Sequence, residues 1–122
     1  MKRALVIEDN QDNMVLITRL LNKAGYRTLE AMTGRAGVDM ALKERPDFIL
    51  LDIQLPDILG TEVLRLLRES EIGVGIPVIA VTSFAMAGDR ERLLEAGCDG
   101  YLEKPIDPKL IIQQIKKIIG DD

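Results

Sequence analysis

The stretch Phe48-Ile49-Leu50-Leu51-Asp52-Ile53-Gln54-Leu55-Pro56 decides the fold, because an apolar run ends here on a carboxylate and is then stopped by a proline. A short unbroken apolar run is typical of a strand buried on both faces, as in a parallel sheet covered by helices on both sides. Asp52 then lies at the carboxyl end of that strand, where open α/β sheets place their chemistry. Since an unpaired carboxylate beside a buried strand costs free energy, Asp52 requires a metal ion, a partner cation or a chemical role.

The rest of the chain repeats this pattern of a short strand followed by a helix. Including the opening stretch, the predicted strands are residues 4–7, 27–31, 48–52, 78–82 and 100–103. The predicted helices are residues 14–24, 33–43, 60–68, 89–96 and 110–119. Asp107 is the expected N-cap of the last helix, with Pro108 at its first helical position. Residues 72–76 are expected to form a glycine-rich return loop, and residues 83–88 a loop or a frayed helix start.

Strict alternation of strands and helices predicts a parallel sheet with right-handed crossovers. Five strand and helix pairs are too few for a closed eightfold barrel, so we expect an open doubly wound α/β sheet. In a 2-1-3-4-5 strand order, the switch point lies between strands 1 and 3. The carboxyl ends of those strands carry Glu8-Asp9 and Asp52, while strands 4 and 5 end in Thr82 and Lys104.

The composition indicates one domain, residues 1–122, with nothing left for a separate output or DNA-binding domain. The chain has 122 residues, of which 47% are hydrophobic, enough for one core. A net charge of -4, with cations interspersed among acids, argues against a nucleic-acid partner. No apolar run approaches the length of a signal-peptide core or of a membrane span, so we expect a cytoplasmic protein without a membrane partner. Cys98, the single cysteine, excludes an internal disulfide and is expected to be a buried small hydrophobe.

The sequence contains no histidine, which excludes histidine-based triads, internal phosphohistidine and most zinc or copper sites. Carboxylates at neighbouring strand ends repel each other by about 4 kcal/mol per pair at about 4 Å and an effective dielectric constant of about 20. Mg²⁺ relieves this repulsion with few carboxylates and keeps room for a phosphate oxygen, whereas Ca²⁺ requires more protein ligands. Asp52 can then attack a phosphoryl group, with Lys104 and the Thr82 hydroxyl contacting the transferred oxygens, to give an aspartyl phosphate.

The motifs quoted so far, together with Tyr101 and Lys104-Pro105, resemble the receiver domains of two-component response regulators, over essentially the full chain. This resemblance implies the CheY-like 2-1-3-4-5 sheet with five helices, Asp52 as phosphoacceptor and Tyr101 as a switch position. It also implies a cis Lys104-Pro105 peptide. The resemblance further implies that Asp9, Asp52 and the backbone carbonyl of Gln54 bind Mg²⁺ directly and that Glu8 acts through water. Many receivers have aspartate at the position of Glu8, and this departure affects the outer water geometry.

Three stretches look particularly like the stand-alone DivK type: Glu8-Asp9-Asn10, residues 52–56, and Phe84-Ala85-Met86 followed by Gly88-Asp89. They also resemble receivers attached to hybrid histidine kinases, so a receiver cut from a larger protein stays an alternative. The resemblance implies a phosphoryl donor that is a histidine kinase or a histidine phosphotransferase. It further implies a downstream protein target that binds the face of the fourth helix, fifth strand and fifth helix. We expect a monomer or weak dimer that catalyses only its own phosphorylation and dephosphorylation.

Each of these residues has an ordinary structural explanation when taken alone. Glu8-Asp9 can cap the first helix, Lys104 can be a solvated lysine, and Tyr101 can be a half-buried strand aromatic. Their conjunction at successive strand ends favours the receiver.

Three other functions fit the sequence less well. A phosphatase of the haloacid-dehalogenase type needs a second aspartate two residues after the nucleophile, where this chain has Gln54, and it needs a cap domain. A flavodoxin-like cofactor binder would not place the acidic, glycine-free residues 8–12 at its phosphate loop. A degenerate receiver lacks support, because all the site groups are present.

Overall fold

The chain forms a five-stranded parallel sheet between two layers of helices, in a computed structural model that describes residues 2–83 and 89–121. The strands are β1 (Arg3–Ile7), β2 (Arg27–Ala31), β3 (Phe48–Asp52), β4 (Val78–Thr82) and β5 (Gly100–Glu103). The helices are α1 (Gln11–Lys23), α2 (Gly34–Glu44), α3 (Gly60–Arg68), α4 (Asp89–Ala96) and α5 (Ile111–Ile119). Within the described ranges, no helix combines the length and apolar character needed to span a membrane.

The strand order is β2-β1-β3-β4-β5, which confirms the open doubly wound sheet. The chain leaves β1 toward one edge, forms β2, and returns to place β3 on the other side of β1. Neighbouring strands are in register, with Ile7 opposite Leu51 and Asp52 opposite Val81. The carboxyl ends of β1, β3 and β4 therefore meet at the same edge, at the predicted switch point.

Two apolar clusters hold the helices against the two faces of the sheet. Ile49 and Leu51 of β3 pack with residues of α2, α3 and α4, whereas Phe48 and Leu50 pack with residues of α1 and α5. All five residues of β3 are buried, which explains its unbroken apolar sequence. Cys98 is also buried, as predicted.

The starts of two helices differ from the sequence prediction. Helix α1 begins at Gln11, three residues earlier than predicted, because the side chain of Asn10 caps it by accepting a hydrogen bond from the Asn13 N–H at 2.9 Å. Helix α5 begins at Ile111, so Asp107 is not its immediate N-cap. Asp107 instead caps the preceding turn, where its side chain accepts from the N–H of Lys109 at 2.9 Å.

Residues Gly73–Gly75 form a short 3-10 turn within the predicted return loop. Of the segment 83–88, Ser83 forms a bend after β4, and residues 84–88 lie outside the described residues.

Candidate functional site

Three carboxylates converge at the carboxyl ends of β1 and β3. Glu8 and Asp9 directly follow β1, and Asp52 is the last residue of β3. One oxygen from each carboxylate lies within 4.8 Å of the others. Glu8 and Asp52 are buried, with 1% and 5% of their surface exposed, whereas Asp9 is exposed. The parallel strands thus bring together the acidic residues that the sequence indicated.

Lys104 enters the same cluster from the end of β5. Its ammonium nitrogen lies 3.3 Å from Oε1 of Glu8 and 3.3 Å from Oδ2 of Asp52. Its backbone N–H donates to the carbonyl of Thr82 at 2.8 Å, and its peptide bond to Pro105 is cis. Burial opposes the lysine charge, but the two carboxylates more than offset this, so the pKa of Lys104 is raised. Lys104 is therefore an ammonium ion at neutral pH.

Glu8 is the most perturbed acid of the site. Burial, and after it the nearby Asp52 carboxylate, with which a protonated Glu8 can share its hydrogen, together raise the pKa of Glu8 to about 7, against the opposing effects of Lys104 and Asn13. The Oε2 atom of Glu8 is buried and accepts no hydrogen bond from the described residues. A buried carboxylate oxygen in this state requires either a proton or a cation.

The loop after β3 orients Asp52. The backbone N–H of Gln54 donates to Oδ1 of Asp52 at 3.0 Å, while Lys104 holds Oδ2. The loop closes at its base where the N–H of Gly60 donates to the Ile53 carbonyl at 3.0 Å. Only glycine fits position 60 without a shift, because an added Cβ would lie 2.6 Å from the Ile53 Cα.

Thr82 and Tyr101 occupy the neighbouring strands β4 and β5. Thr82 is 3% exposed and Tyr101 is half-buried. Tyr101 pairs with Ala80, two residues before Thr82, so alternation along β4 and β5 directs both side chains toward the same face of the sheet. Tyr101 packs on the cluster shared with α2, α3 and α4.

The residues of the site fit a hard divalent cation. Glu8, Asp9 and Asp52 offer carboxylate oxygens, which Mg²⁺ prefers, and the buried Oε2 of Glu8 is without a donor among the described residues. Two buried acids share one ammonium group, which leaves negative charge for a cation to offset. The donor set therefore suits Mg²⁺ on its chemistry.

A groove runs beside the cluster, between α1 and the start of the segment that leads to α5. It is lined by Asn13, Leu16, Ser83, Lys104, Pro105 and Ile106. Leu16 is 38% exposed, so an apolar side chain faces solvent next to the charged site.

Sequence reasoning did not single out Asp57, a residue of the β3–α3 loop that the structure links to α2. Its carboxylate accepts hydrogen bonds from the N–H groups of Gly34 and Arg35. These partners lie more than twenty residues upstream, at separations of 23 and 22. An acid after a proline in a loop is too common a pattern to indicate such a contact.

Comparison with known proteins agrees with this geometry. Residues 4–116 match the response regulator receiver domain family. The chain is 44% identical over 120 residues to the polar-differentiation response regulator DivK of Brucella anthropi, with 98% of each chain covered. The DivK protein of Brucella ovis shows the same identity and coverage.

Solved structures show the same fold. The receiver domain of a sensor histidine kinase from Pseudomonas aeruginosa, with a magnesium ion coordinated in its active site cleft, is 36% identical, with a TM-score of 0.89 and 98% of both chains covered. A CheY-like receiver from Methanospirillum hungatei is 30% identical, with a TM-score of 0.90 over 99% of this chain and 95% of its own. The carboxylate cluster at the switch point and these similarities lead to one conclusion: the chain belongs to the response regulator receiver domain family.

Proposed function

We propose that this chain is a phosphorylation-controlled switch that accepts a phosphoryl group on Asp52. The observation that carries the proposal is the position of Asp52, which is buried among two other carboxylates and held by the Gln54 N–H and the Lys104 ammonium. A carboxylate oxygen of Asp52 attacks the phosphorus atom of a phosphohistidine. A P–O bond forms as the P–N bond breaks, and the bonding electrons stay with the imidazole nitrogen. The product is an aspartyl phosphate.

The other site residues assist this transfer. Asp9, Asp52 and the backbone carbonyl of Gln54 would bind Mg²⁺ directly, and Glu8 would act through water. Bound Mg²⁺ supplies positive charge that offsets the carboxylates and the phosphoryl oxygens. Lys104 donates to an oxygen of the transferred group, and the hydroxyl of Thr82 donates to another. The magnesium ion in the cleft of the Pseudomonas receiver supports this assignment.

The phosphoryl donor is a partner protein, because the chain contains no histidine. A histidine kinase or a histidine phosphotransferase supplies the group, and the groove with Leu16 beside the site offers an apolar surface for it. The 44% identity to DivK over nearly the whole of both chains favours a single-domain regulator. The similarity to a kinase-attached receiver favours the alternative, a receiver belonging to a hybrid histidine kinase or a larger regulator.

The proposed output is a change in protein binding at the surface formed by α4, β5 and α5. Phosphorylation draws Thr82 toward the phosphoryl group and allows Tyr101 to turn inward. The chain catalyses its own phosphorylation and dephosphorylation and acts on no separate substrate. We propose that it works in the cytoplasm, as a monomer or weak dimer, on a downstream protein target.

Incubation with acetyl phosphate and Mg²⁺, followed by intact mass measurement, tests the phosphoacceptor. The wild type should gain one phosphoryl group that base and hydroxylamine remove, and Asp52→Asn should stay folded and gain none. Phosphoryl groups that persist in Asp52→Asn, or that map to Thr82 or Ser83, would overturn the assignment.

Thermal and chemical unfolding with and without Mg²⁺ test the metal. At ten times the dissociation constant, Mg²⁺ should stabilise the wild type by about 1.4 kcal/mol through mass action. Asp9→Asn should lose this response and gain stability in the absence of metal, because one repulsive charge is removed. A wild type whose stability is independent of Mg²⁺ contradicts the metal site.

A further inference from the structure

The loop between β3 and α3, residues 53–59, carries both backbone groups of Gln54 that the proposed site uses. The N–H of Gln54 orients Asp52, and its carbonyl is the proposed metal ligand. A small displacement of this loop therefore changes the nucleophile and the metal site together. At its base, the Gly60 N–H to Ile53 carbonyl bond closes the loop. This bond leaves the middle of the loop to be held by other contacts.

The middle of the loop is attached to the first turn of α2 through Asp57. One carboxylate oxygen accepts from the Gly34 N–H at 2.8 Å, and the other accepts from the Arg35 N–H at 2.9 Å. These hydrogen bonds, that of Arg35 foremost, lower the pKa of the Asp57 carboxyl against a smaller opposing effect of burial. A carboxylate at a helix N-terminus is also favoured by the helix dipole.

The contact between the loop and α2 is closely packed as well as hydrogen bonded. A Cβ added to Gly34 would lie 2.6 Å from Cγ1 of Ile58, the residue that follows Asp57. The glycine at the start of α2 therefore lets the loop approach the helix backbone.

The need to cap α2 does not by itself account for the two hydrogen bonds that Asp57 accepts, because the helix already has a cap from its own segment. Oγ1 of Thr33 accepts from the Ala36 N–H at 3.1 Å. Thr33 caps the helix from its own segment, whereas Asp57 caps it from the loop that carries Gln54. The two residues thus satisfy N–H groups of the same turn, and the Asp57 bonds also tie α2 to the site.

We propose that Asp57 is a positioning residue, which sets the affinity of the site for Mg²⁺ and the rate of Asp52 phosphorylation by holding the Gln54 loop against α2. This inference rests on the proposed phosphoacceptor function. Its physical basis is that the loop is attached first at its base, where the Gly60 N–H donates to Ile53 and the Ile53 N–H donates to Val81, and second in its middle, through Asp57. Loss of the second attachment lets Gln54 sample positions in which its carbonyl and N–H no longer meet the metal and Asp52 together.

The test compares Asp57→Ala with Thr33→Ala in the full chain. Both substitutions remove a cap from the first turn of α2, but only the first releases the loop. Residues that orient metal ligands typically change metal affinity about 10- to 100-fold when removed. We therefore expect Asp57→Ala to raise the Mg²⁺ dissociation constant about tenfold or more in calorimetric titration, and Thr33→Ala to leave it near the wild-type value.

One further measurement and one further variant keep the outcome decisive. The amide NMR signal of Gln54 in metal-free protein should move in Asp57→Ala and stay in Thr33→Ala. If Asp57→Ala does not fold, Asp57→Asn, which keeps one acceptor oxygen, takes its place and must still weaken Mg²⁺ binding more than Thr33→Ala does.

The outcomes separate this inference from the proposed function. A wild type that neither binds Mg²⁺ nor accepts a phosphoryl group contradicts the proposed function. A wild type that does both, with Asp57 variants that match Thr33→Ala in dissociation constant and in the Gln54 signal, contradicts the positioning role alone.

Discussion

The ammonium nitrogen of Lys104 lies 3.3 Å from Oδ2 of Asp52, so the proposed phosphoacceptor is paired with a cation before any metal or phosphoryl group arrives. The same nitrogen lies 3.3 Å from Oε1 of Glu8. Lys104 therefore offsets part of the negative charge at the proposed Mg²⁺ site. The lysine and a bound Mg²⁺ would compete for the carboxylates, although both are proposed to serve the phosphoryl transfer.

Replacing Lys104 with methionine should tighten Mg²⁺ binding and slow phosphorylation. Unit charges about 4 Å apart interact by about 4 kcal/mol at an effective dielectric constant of about 20. If removal of the lysine charge improves the free energy of Mg²⁺ binding by about a third of this interaction, the affinity rises about tenfold. We therefore expect the dissociation constant to fall about tenfold in calorimetric titration. The rate with acetyl phosphate should fall at saturating Mg²⁺, because a donor to the transferred oxygens is lost. Lys104→Arg, which keeps the charge, is the control, and weaker Mg²⁺ binding by Lys104→Met contradicts the competition.

Glu8 should make the metal-free protein less stable as the pH rises from about 4.5 to 7. Burial and Asp52 raise the pKa of Glu8 from 4.5 to about 7, so the folded state binds a proton that the unfolded chain has released across this window. A folded state that holds more protons than the unfolded state loses stability as pH rises. The slope is on the order of 1.4 kcal/mol per pH unit, which gives a total loss of a few kcal/mol across this window. Urea unfolding in a chelator, at pH values across this window, measures the slope.

Glu8→Gln is the matched variant for this slope, because an amide of similar shape does not titrate. Its metal-free stability should be nearly independent of pH over the same window. The pKa values of Asp57 and Asp121 are lowered in the folded protein. These two carboxylates therefore stabilise the fold at any pH above the ordinary aspartate pKa of 3.8, and this effect is lost only as the pH falls below 3.8. They do not obscure the Glu8 window. An equal slope in Glu8→Gln and in the wild type would show that another group is responsible.

The parts of this architecture that depend on local pattern were predictable from the sequence. The apolar run of β3 ends at Asp52 as predicted, because a strand buried on both faces requires apolar residues throughout. Parallel strands place their carboxyl ends at one edge, so polar residues that follow apolar runs indicated the carboxylate cluster. The order of the strands came from family resemblance, since alternation of strands and helices predicts a parallel sheet and leaves its order open.

Contacts between residues distant in sequence could not be predicted. Asp57 meets α2 across 23 residues, and the Tyr26 hydroxyl donates to Asp121 across 95. Such contacts depend on where the side chains point once the helices have packed on the sheet. No periodic sequence pattern encodes this direction. Helix α1 starts before its first apolar residue, Met14, for a related reason: the cap at Asn10 determines the first turn, and the apolar pattern does not.

Thr82→Ala should separate phosphorylation from the response of Tyr101. A phosphoryl group on Asp52 offers the Thr82 hydroxyl a charge-assisted hydrogen bond. The side chains of Thr82 and Tyr101 are directed toward the same face of the sheet from adjacent strands. In the wild type, beryllofluoride, a stable phosphoryl mimic, should shift the ring NMR signals of Tyr101. In Thr82→Ala beryllofluoride should leave these signals unshifted. Asp52 should still accept a phosphoryl group in this variant, at a lower rate. Partner binding should lose a phosphorylation effect of about 5- to 150-fold.

Two internal controls accompany this measurement. Tyr26, the other tyrosine, precedes β2 at the opposite edge of the sheet and should keep its signals in every state. Thr82→Ser retains the hydroxyl and should retain the Tyr101 shift. Identical Tyr101 signals in the wild type with and without beryllofluoride would show that this residue does not report phosphorylation.

Arg68, at the end of α3, should contribute far more to stability than its neighbour Arg65. Its guanidinium donates to the carbonyls of Gly73, Ile76 and Gly97 at 2.7 to 3.0 Å. It also pairs with Asp99 at 2.8 Å, and its side chain is 19% exposed. Arg68→Ala leaves partly buried carbonyls without this donor, at a cost of about 2 to 3 kcal/mol in the free energy of unfolding. Urea unfolding with a wild-type slope measures the loss.

Arg65 is the matched control for Arg68, because it lies on the same helix, carries the same charge and makes ion pairs with Glu62 and Glu69. Its side chain is 54% exposed, so solvent screens those pairs and Arg65→Ala should change the free energy of unfolding far less than Arg68→Ala does. Arg68→Lys should fall between wild type and Arg68→Ala, since one ammonium group cannot replace a planar fork that reaches three carbonyls. Equal losses for Arg65→Ala and Arg68→Ala would mean that the buried carbonyls find water instead, and that the guanidinium acts only as a surface charge.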